Sequence, residues 1–287
     1  MAVNVQQLEK QGIYEAKSSL ASLLSDLDRI ITIANEAAAR KSRQLKTGVY
    51  LMLAGVIGAV VGAVAFPWLL GVSSLAIIGG LGWWLYSLLG RGKLLEHPKR
   101  LEIAKERLAM IQPDAGPQKP FSLRLALASK PIRLSQEAWL GRKNGNQELF
   151  EECWLSLEGP LLDGTVLADE IKELSRKRTF SNASGKRKTK SRVTYVVNIR
   201  FSYPKERYGD ARPAEQALKE EVKVGPSATL RSVRVTEKAI ALKALVTSDQ
   251  EIARTAGMLS MGGYRILNLA RRMAAGPRGT EPGGNTK

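Results

Sequence analysis

Residues 47–90 contain no Asp, Glu, Lys, Arg or His, although a quarter of the 287-residue chain is charged. A membrane-spanning helix needs roughly 20 apolar residues, so this stretch suits two helices joined by a tight turn near Phe66-Pro67-Trp68. It predicts an integral, multi-pass membrane protein whose anchor lies in the first third of the chain.

The flanks predict the orientation. Arg40, Lys41, Arg43 and Lys46 precede the stretch, and Arg91, Lys93, Lys99 and Arg100 follow it. The turn between the helices carries no charge, so both termini are expected in the cytoplasm, most simply at a bacterial inner membrane. Tyr50, Trp83, Trp84 and Tyr86 would then lie at the cytoplasmic interface, with Phe66 and Trp68 at the far one. Residues 1–46 hold no apolar core of a cleavable signal, so the first membrane helix is expected to direct its own insertion. The lone cysteine, Cys153, cannot close an intramolecular disulfide, which agrees with a cytoplasmic domain.

The expected spans are 48–66 and 72–89, each about 28 Å long at roughly 1.5 Å per residue. Gly55, Gly58 and Gly62 fall on one side of the first, and Gly58 with Gly62 forms a GxxxG pair that lets backbones approach closely. Gly79, Gly80 and Gly82 offer a thin face on the second. This predicts a packing seam within the hairpin or between copies. The competing reading is that glycine is frequent in membrane helices generally.

Helical periodicity flanks the anchor on both sides. Ile13, Leu20, Leu27 and Ala34 repeat every seven residues, with Ala16, Leu23, Ile30 and Ala37 three positions after each. That is a heptad seam. A coiled coil, through which the chain would self-associate or meet a protein partner, and a lone amphipathic helix packed on its own domain fit it equally. Residues 98–111 place Leu101, Ala104, Leu108 and Ile111 on one face, which predicts a second helix and an antiparallel stalk. Residues 112–120, with three prolines and a glycine, end that helix.

From Phe121 the period changes to two. Phe121, Leu123, Leu125 and Leu127 alternate with smaller or polar residues, and Val193, Tyr195, Val197, Ile199, Phe201 and Tyr203 form the clearest strand. Further strands are expected at 153–158, 165–172, 229–235 and 239–246, with Asn144-Gly145 as a tight hairpin turn. Ser248 and Glu251 have capping-box spacing ahead of a helix carrying Ile252, Ala256, Leu259, Ile266, Leu269 and Met273. Gly262-Gly263 leaves room in it for a kink or for close packing against the sheet. The tail beyond Gly276 is rich in Gly and Pro and is expected to be disordered.

The expected fold is therefore a two-helix transmembrane hairpin flanked by amphipathic or coiled-coil helices and followed by a cytosolic α+β domain, an antiparallel sheet with a C-terminal helix. Its segments are 1–46, the amphipathic helix; 47–90, the hairpin; 91–120, the stalk helix and linker; 121–275, the cytosolic domain; and 276–287, the tail. The likeness to bacterial inner-membrane proteins is architectural and carries no residue roles.

Most catalytic chemistry lacks its residues. The single histidine, His97, has no second histidine or CxxC to join it, so no metal site or nucleophile pair involving histidine is expected. Glu151-Glu152 and Asp169-Glu170 are adjacent on expected strands, which points their carboxylates to opposite faces. No phosphate-binding glycine loop with a lysine occurs. Cys153, beside Trp154 in an apolar pattern, is expected to be a buried structural thiol. No cofactor is expected. The membrane segment carries no charge that could relay a proton or ion.

Charge supplies the remaining signal. The net charge is +17; seven basic and five acidic residues precede the apolar stretch, while thirty-seven and twenty-two follow it. Arg176, Lys177, Arg178, Lys186, Arg187, Lys188, Lys190 and Arg192 cluster with no acid between Leu174 and Lys205. They are expected on the tip of a hairpin whose strands end near Lys172 and begin at Arg192. A solvated loop is the default; anionic lipid headgroups come next, then nucleic-acid phosphates or an acidic protein. Only Phe180 interleaves the run, which disfavours single-stranded nucleic acid. The leading expectation is a non-enzymatic membrane scaffold or adaptor with a basic interaction domain. Its alternatives are a subunit of an oligomeric transport or secretion assembly, and a membrane-tethered enzyme with a pocket gathering Asp163, Asp169 or Glu170.

Overall fold

The strand that opens the sheet precedes the apolar helices in the chain, and the strand beside it follows them. The computed structural model describes residues 8, 11–64, 68–89, 97–128, 131–138, 146–181, 186–215, 222 and 224–274. In it, β1 (Ile13–Ser19) pairs antiparallel with β2 (Pro120–Ala126), from Ile13 opposite Ala126 to Ser19 opposite Pro120. The heptad expectation is corrected here, because Ile13 and Ala16 belong to a strand. The same residues also alternate: Tyr14 is buried while Glu15 and Lys17 are exposed. Pairing with a strand far along the chain decides between the two periods. From Leu20 the seam is helical, and Leu20, Leu23, Leu27, Ile30 and Ala34 are all buried.

The chain forms two compact units, Met1–Gly12 with Asp26–Leu101, and Ile13–Ser25 with Glu102–Lys287. The first unit is built on α1 (Leu20–Val64), from Asp26 onward, and α2 (Leu69–Leu89). Helix α1 runs unbroken from its amphipathic start into the apolar stretch. Among the described residues one helix, over Leu20–Val61, is long and apolar enough to cross a membrane; the apolar part of α2, Leu70–Tyr86, is shorter. The two expected spans are corrected to that extent. Phe66 and Pro67 of the expected turn lie outside the described residues.

The second unit is an antiparallel sheet in the order β1-β2-β4-β5-β6-β8-β7, with β3 (Ile132–Ala138) beside β4. Strands β4 (Asn146–Pro160), β5 (Val166–Ser181) and β6 (Arg187–Ser202) are much longer than the apolar patterns that reveal them. Strands β7 (Ala228–Val235) and β8 (Ala239–Val246) complete it. The expected Asn144-Gly145 turn lies outside the described residues, but the strands on either side pair from Ala138 opposite Asn146.

Two helices cover the inner face. Helix α3 (Pro98–Ile111) buries Leu101, Ala104, Leu108 and Ile111. Helix α4 (Ile252–Ala274) is continuous through Gly262-Gly263, and a Cβ on Gly263 would collide with the Phe201 ring of β6. The glycines thus serve close packing and not a kink. The expected capping box is absent: Asp249–Glu251 forms a 3₁₀ turn with Ser248 at its N-cap, and no side-chain hydrogen bond closes it. Inward residues of the sheet, among them Phe121, Leu123, Leu125, Leu155, Ile171 and Val197, are fully or almost fully buried, each contributing about 1.5–3 kcal/mol for an aliphatic or aromatic side chain.

Candidate functional site

The eight basic residues sit mostly on paired strands, which corrects their placement at a loop tip. Strand β5 continues to Ser181 and β6 begins at Arg187, so Arg176, Lys177, Arg178, Arg187, Lys188, Lys190 and Arg192 all belong to the ladder and Lys186 immediately precedes it. Apolar alternation ends at Leu174, but β4 pairs along β5 as far as Thr179 and holds the polar part extended.

The register sorts the cations by face. Arg176 lies opposite Arg192, Arg178 opposite Lys190, and Phe180 opposite Lys188. Side chains alternate along a strand, so these five cations share the outer face, while Lys177 and Arg187 share the inner one. Like charges directly opposite each other destabilise a sheet. From 187 to 194, β6 has no strand on its second side among the described residues, since β8 pairs only Tyr195 to Ser202. Cations along such an edge discourage pairing with another chain. That accounts for the residues on β6. It does not account for Arg176 and Arg178, because β5 is flanked on both sides.

The outer face continues as a groove of about 750 Å³ lined by Glu170, Asn198, Arg200, Arg231, Arg234 and Lys243 with apolar side chains between them. A β-bulge between Leu230 and Ser232 places Arg231 there. Sequence inspection missed this part because its cations come from three separate strands. Across the face, Lys172 pairs with Glu151 at 3.0 Å, and that hydrogen bond holds the lysine above its ordinary pKa. Cys153 is only partly buried on this face, where burial and then the Glu170 charge push its thiol up.

The carboxylates named as possible enzyme groups are not brought together. Asp169 points inward and is fully buried, while its neighbour Glu170 is exposed on the outer face. The Asp169 carboxylate accepts a hydrogen bond from Arg107 of α3, itself 1% exposed, and Arg107 donates a second to the Ser260 hydroxyl of α4. This ties both helices to β5. Asp163 forms a separate cluster, accepting from the Thr165 backbone N–H and hydroxyl and, at 2.5 Å, from Tyr208. Among the described residues no group of three His, Cys, Asp or Glu side chains is placed to hold a metal ion. A second cavity of about 690 Å³ lies between α3, α4 and the sheet, lined by Met110, Met258, Met261, Phe201, Tyr264 and Arg107 among others.

The glycines of the first unit divide. A Cβ on Gly55 would stand 2.6 Å from Ile77 and 2.9 Å from the Ser73 carbonyl oxygen, and one on Gly58 would stand 2.6 Å from the Ser73 hydroxyl. On α2 it is Gly80 that meets α1: a Cβ there would stand 2.9 Å from the Met52 backbone N and 3.0 Å from the Gly48 carbonyl oxygen. Gly79 and Gly82, expected on the seam, have nothing within 4 Å among the described residues. The packing of Gly62 lies outside what is described.

No protein-family model, no curated protein and no solved structure matches this chain.

Proposed function

We propose that this chain is a two-pass membrane protein whose cytoplasmic sheet domain acts as a non-enzymatic scaffold or adaptor, with its cationic outer face as the interaction surface. The β1–β2 ladder carries the topological half of this reading. Strands that exchange backbone hydrogen bonds occupy one compartment, so a chain that leaves β1 and returns to β2 crosses the bilayer an even number of times. Helix α1 supplies one crossing. Helix α2, at 21 residues, reaches roughly 31 Å at about 1.5 Å per residue against a hydrocarbon core of about 30 Å.

Large side chains support the same reading. Ile57, Val60, Leu75, Ile78 and Tyr86 are among many exposed apolar residues on α1 and α2, a larger apolar surface than soluble monomers tolerate. The scaffold half rests on the cationic outer face.

Reporter fusions at both termini, with thiol labelling of a Gly71→Cys variant in a Cys153→Ser background, test the topology. Gly71 is chosen because it has open space around it, whereas Ser73 is buried beneath Gly58. Both reporters cytoplasmic, and labelling from the far side only, is the expected outcome. Reporters of opposite sense, or release of the chain from membranes by alkaline carbonate, would overturn it.

A further inference from the structure

We propose that the outer face of the β3–β6 arm docks on the anionic phospholipid headgroups of the bilayer that anchors the chain. This deepens the membrane reading and rests on it. Two independent features of the arm point to lipid. The first is charge: Arg176, Arg178, Lys188, Lys190 and Arg192 share one face, and two of their cross-strand pairings oppose like charges. Headgroup phosphates relieve that repulsion, and each Lys or Arg held near an anionic leaflet strengthens partitioning by about fivefold.

The second feature is apolar. Strand β3 forms the opposite border of the arm, three strand spacings or about 14 Å from β6. There Ile132 is 70% exposed and Leu134 52% exposed. The register sets Ile132 opposite Glu151, which pairs with the outward Lys172, so Ile132 belongs to the cationic face. Leu134 projects from the bulge between Arg133 and Ser135. Aliphatic side chains beside cations suit the boundary between acyl chains and headgroups, where both forces act together. They do not suit single-stranded nucleic acid, for which stacking aromatics are the usual partners; the one aromatic among these cations, Phe180, is buried.

The full chain in nanodiscs provides the test, with phosphatidylcholine alone compared with an equal mixture with phosphatidylglycerol. Incorporation into either disc is read first, and failure there would count against the membrane reading. Amide hydrogen exchange then follows the arm. We expect exchange over residues 174–181 and 186–194 to slow about tenfold in the anionic discs and to recover in high salt as the Debye length shrinks below about 8 Å. Lys188→Thr, Lys190→Thr and Arg192→Thr together should abolish the slowing, and Lys177→Thr with Arg187→Thr, on the other face, should leave it intact. Ile132→Ser with Leu134→Ser should weaken it with every charge retained, which keeps the test sound if the triple variant misfolds. Equal exchange in both discs would overturn the proposal. So would equal effects of the two sets of charge variants, or tight binding of a labelled oligonucleotide that phosphatidylglycerol does not displace.

Discussion

Ser19, the last residue of β1, lies opposite Pro120, the first of β2, with both apolar helices between them in the chain. The sheet domain is therefore discontinuous in sequence, and a fragment beginning at Phe121 lacks one of its strands. Its seven paired residues, at about 0.5–1.5 kcal/mol per hydrogen bond, make the loss of β1 worth several kcal/mol. It also bares β2 as a new edge. The expected outcome is that a 102–274 fragment, which keeps the α3 residues around Arg107 and lacks only β1, self-associates, while a fusion of 13–25 to 102–274 through a flexible linker stays monomeric and melts at a higher temperature. Sedimentation velocity and thermal circular dichroism on both proteins check this; a monomeric, equally stable short fragment would show that β1 is dispensable.

Glycine position, not glycine content, should govern the stability of the helix pair. Gly55→Leu and Gly80→Leu each drive a side chain into the facing backbone, and overpacking of this kind costs about 1–3 kcal/mol. Gly82→Leu points into open space among the described residues and should be neutral. Thermal unfolding in mild detergent distinguishes them. Equal melting temperatures for all three would mean that the approach seen at Ile77 and Met52 carries no energy.

The sequence exposed some of these features and hid others for physical reasons. Val193 to Tyr203 was legible because six apolar residues alternate without a break. Strand β1 was hidden by an accident of spacing, since Ile13 and Ala16 satisfy a heptad and a strand equally and only β2 breaks the tie. Basic residues 176–178 carry no apolar period, and their extended conformation comes from β4, whose Gln147 sits opposite Arg178. The glycine seam was legible as a spacing. Its rotation was not, because Gly79, Gly80 and Gly82 point in different directions around α2 and only α1 selects among them. The Arg107–Asp169 pair left one usable clue: Asp169 falls on the inward phase of β5 between Leu167 and Ile171, where a carboxylate demands a buried cation.

That demand defines a mutational test. Removing one partner of a buried ion pair strands the other, at about 3–5 kcal/mol. Asp169→Leu or Arg107→Leu alone should therefore destabilise the sheet domain severely. The double variant should regain most of the loss, because two apolar side chains satisfy a dry interior that a lone charge does not. One Asp169 oxygen has no hydrogen-bond partner among the described residues, which adds to the cost the pair already bears. Denaturant titration of the three variants in the full chain measures the coupling; simple additivity of the two single losses would contradict it.

The Asp163–Tyr208 contact predicts opposite responses at the two ends of the pH scale. Burial works to raise the Asp163 pKa, but hydrogen bonds from Thr165 and Tyr208 outweigh it and hold the carboxyl below its ordinary value. A depressed carboxylate contributes stability above its unfolded pKa of about 3.9 and loses it as the pH falls through the lower folded value. Tyr208 behaves inversely. Burial first, then the hydrogen bond to Asp163 and its charge, push the phenol up to about 12. The unfolded phenol ionises near pH 10, so the stability held by Tyr208 is complete below that pH and drains away as the pH rises through the folded value. Tyr208→Phe should cost roughly 1.5–3 kcal/mol at neutral pH, as expected for a hydrogen bond to a charged acceptor. It should also flatten the alkaline loss between about pH 10 and 12 while leaving Asp163 with its Thr165 bonds and part of the acid dependence. Melting temperatures of wild type and variant across the pH range decide the matter, and parallel alkaline slopes in the two proteins would separate Tyr208 from the effect.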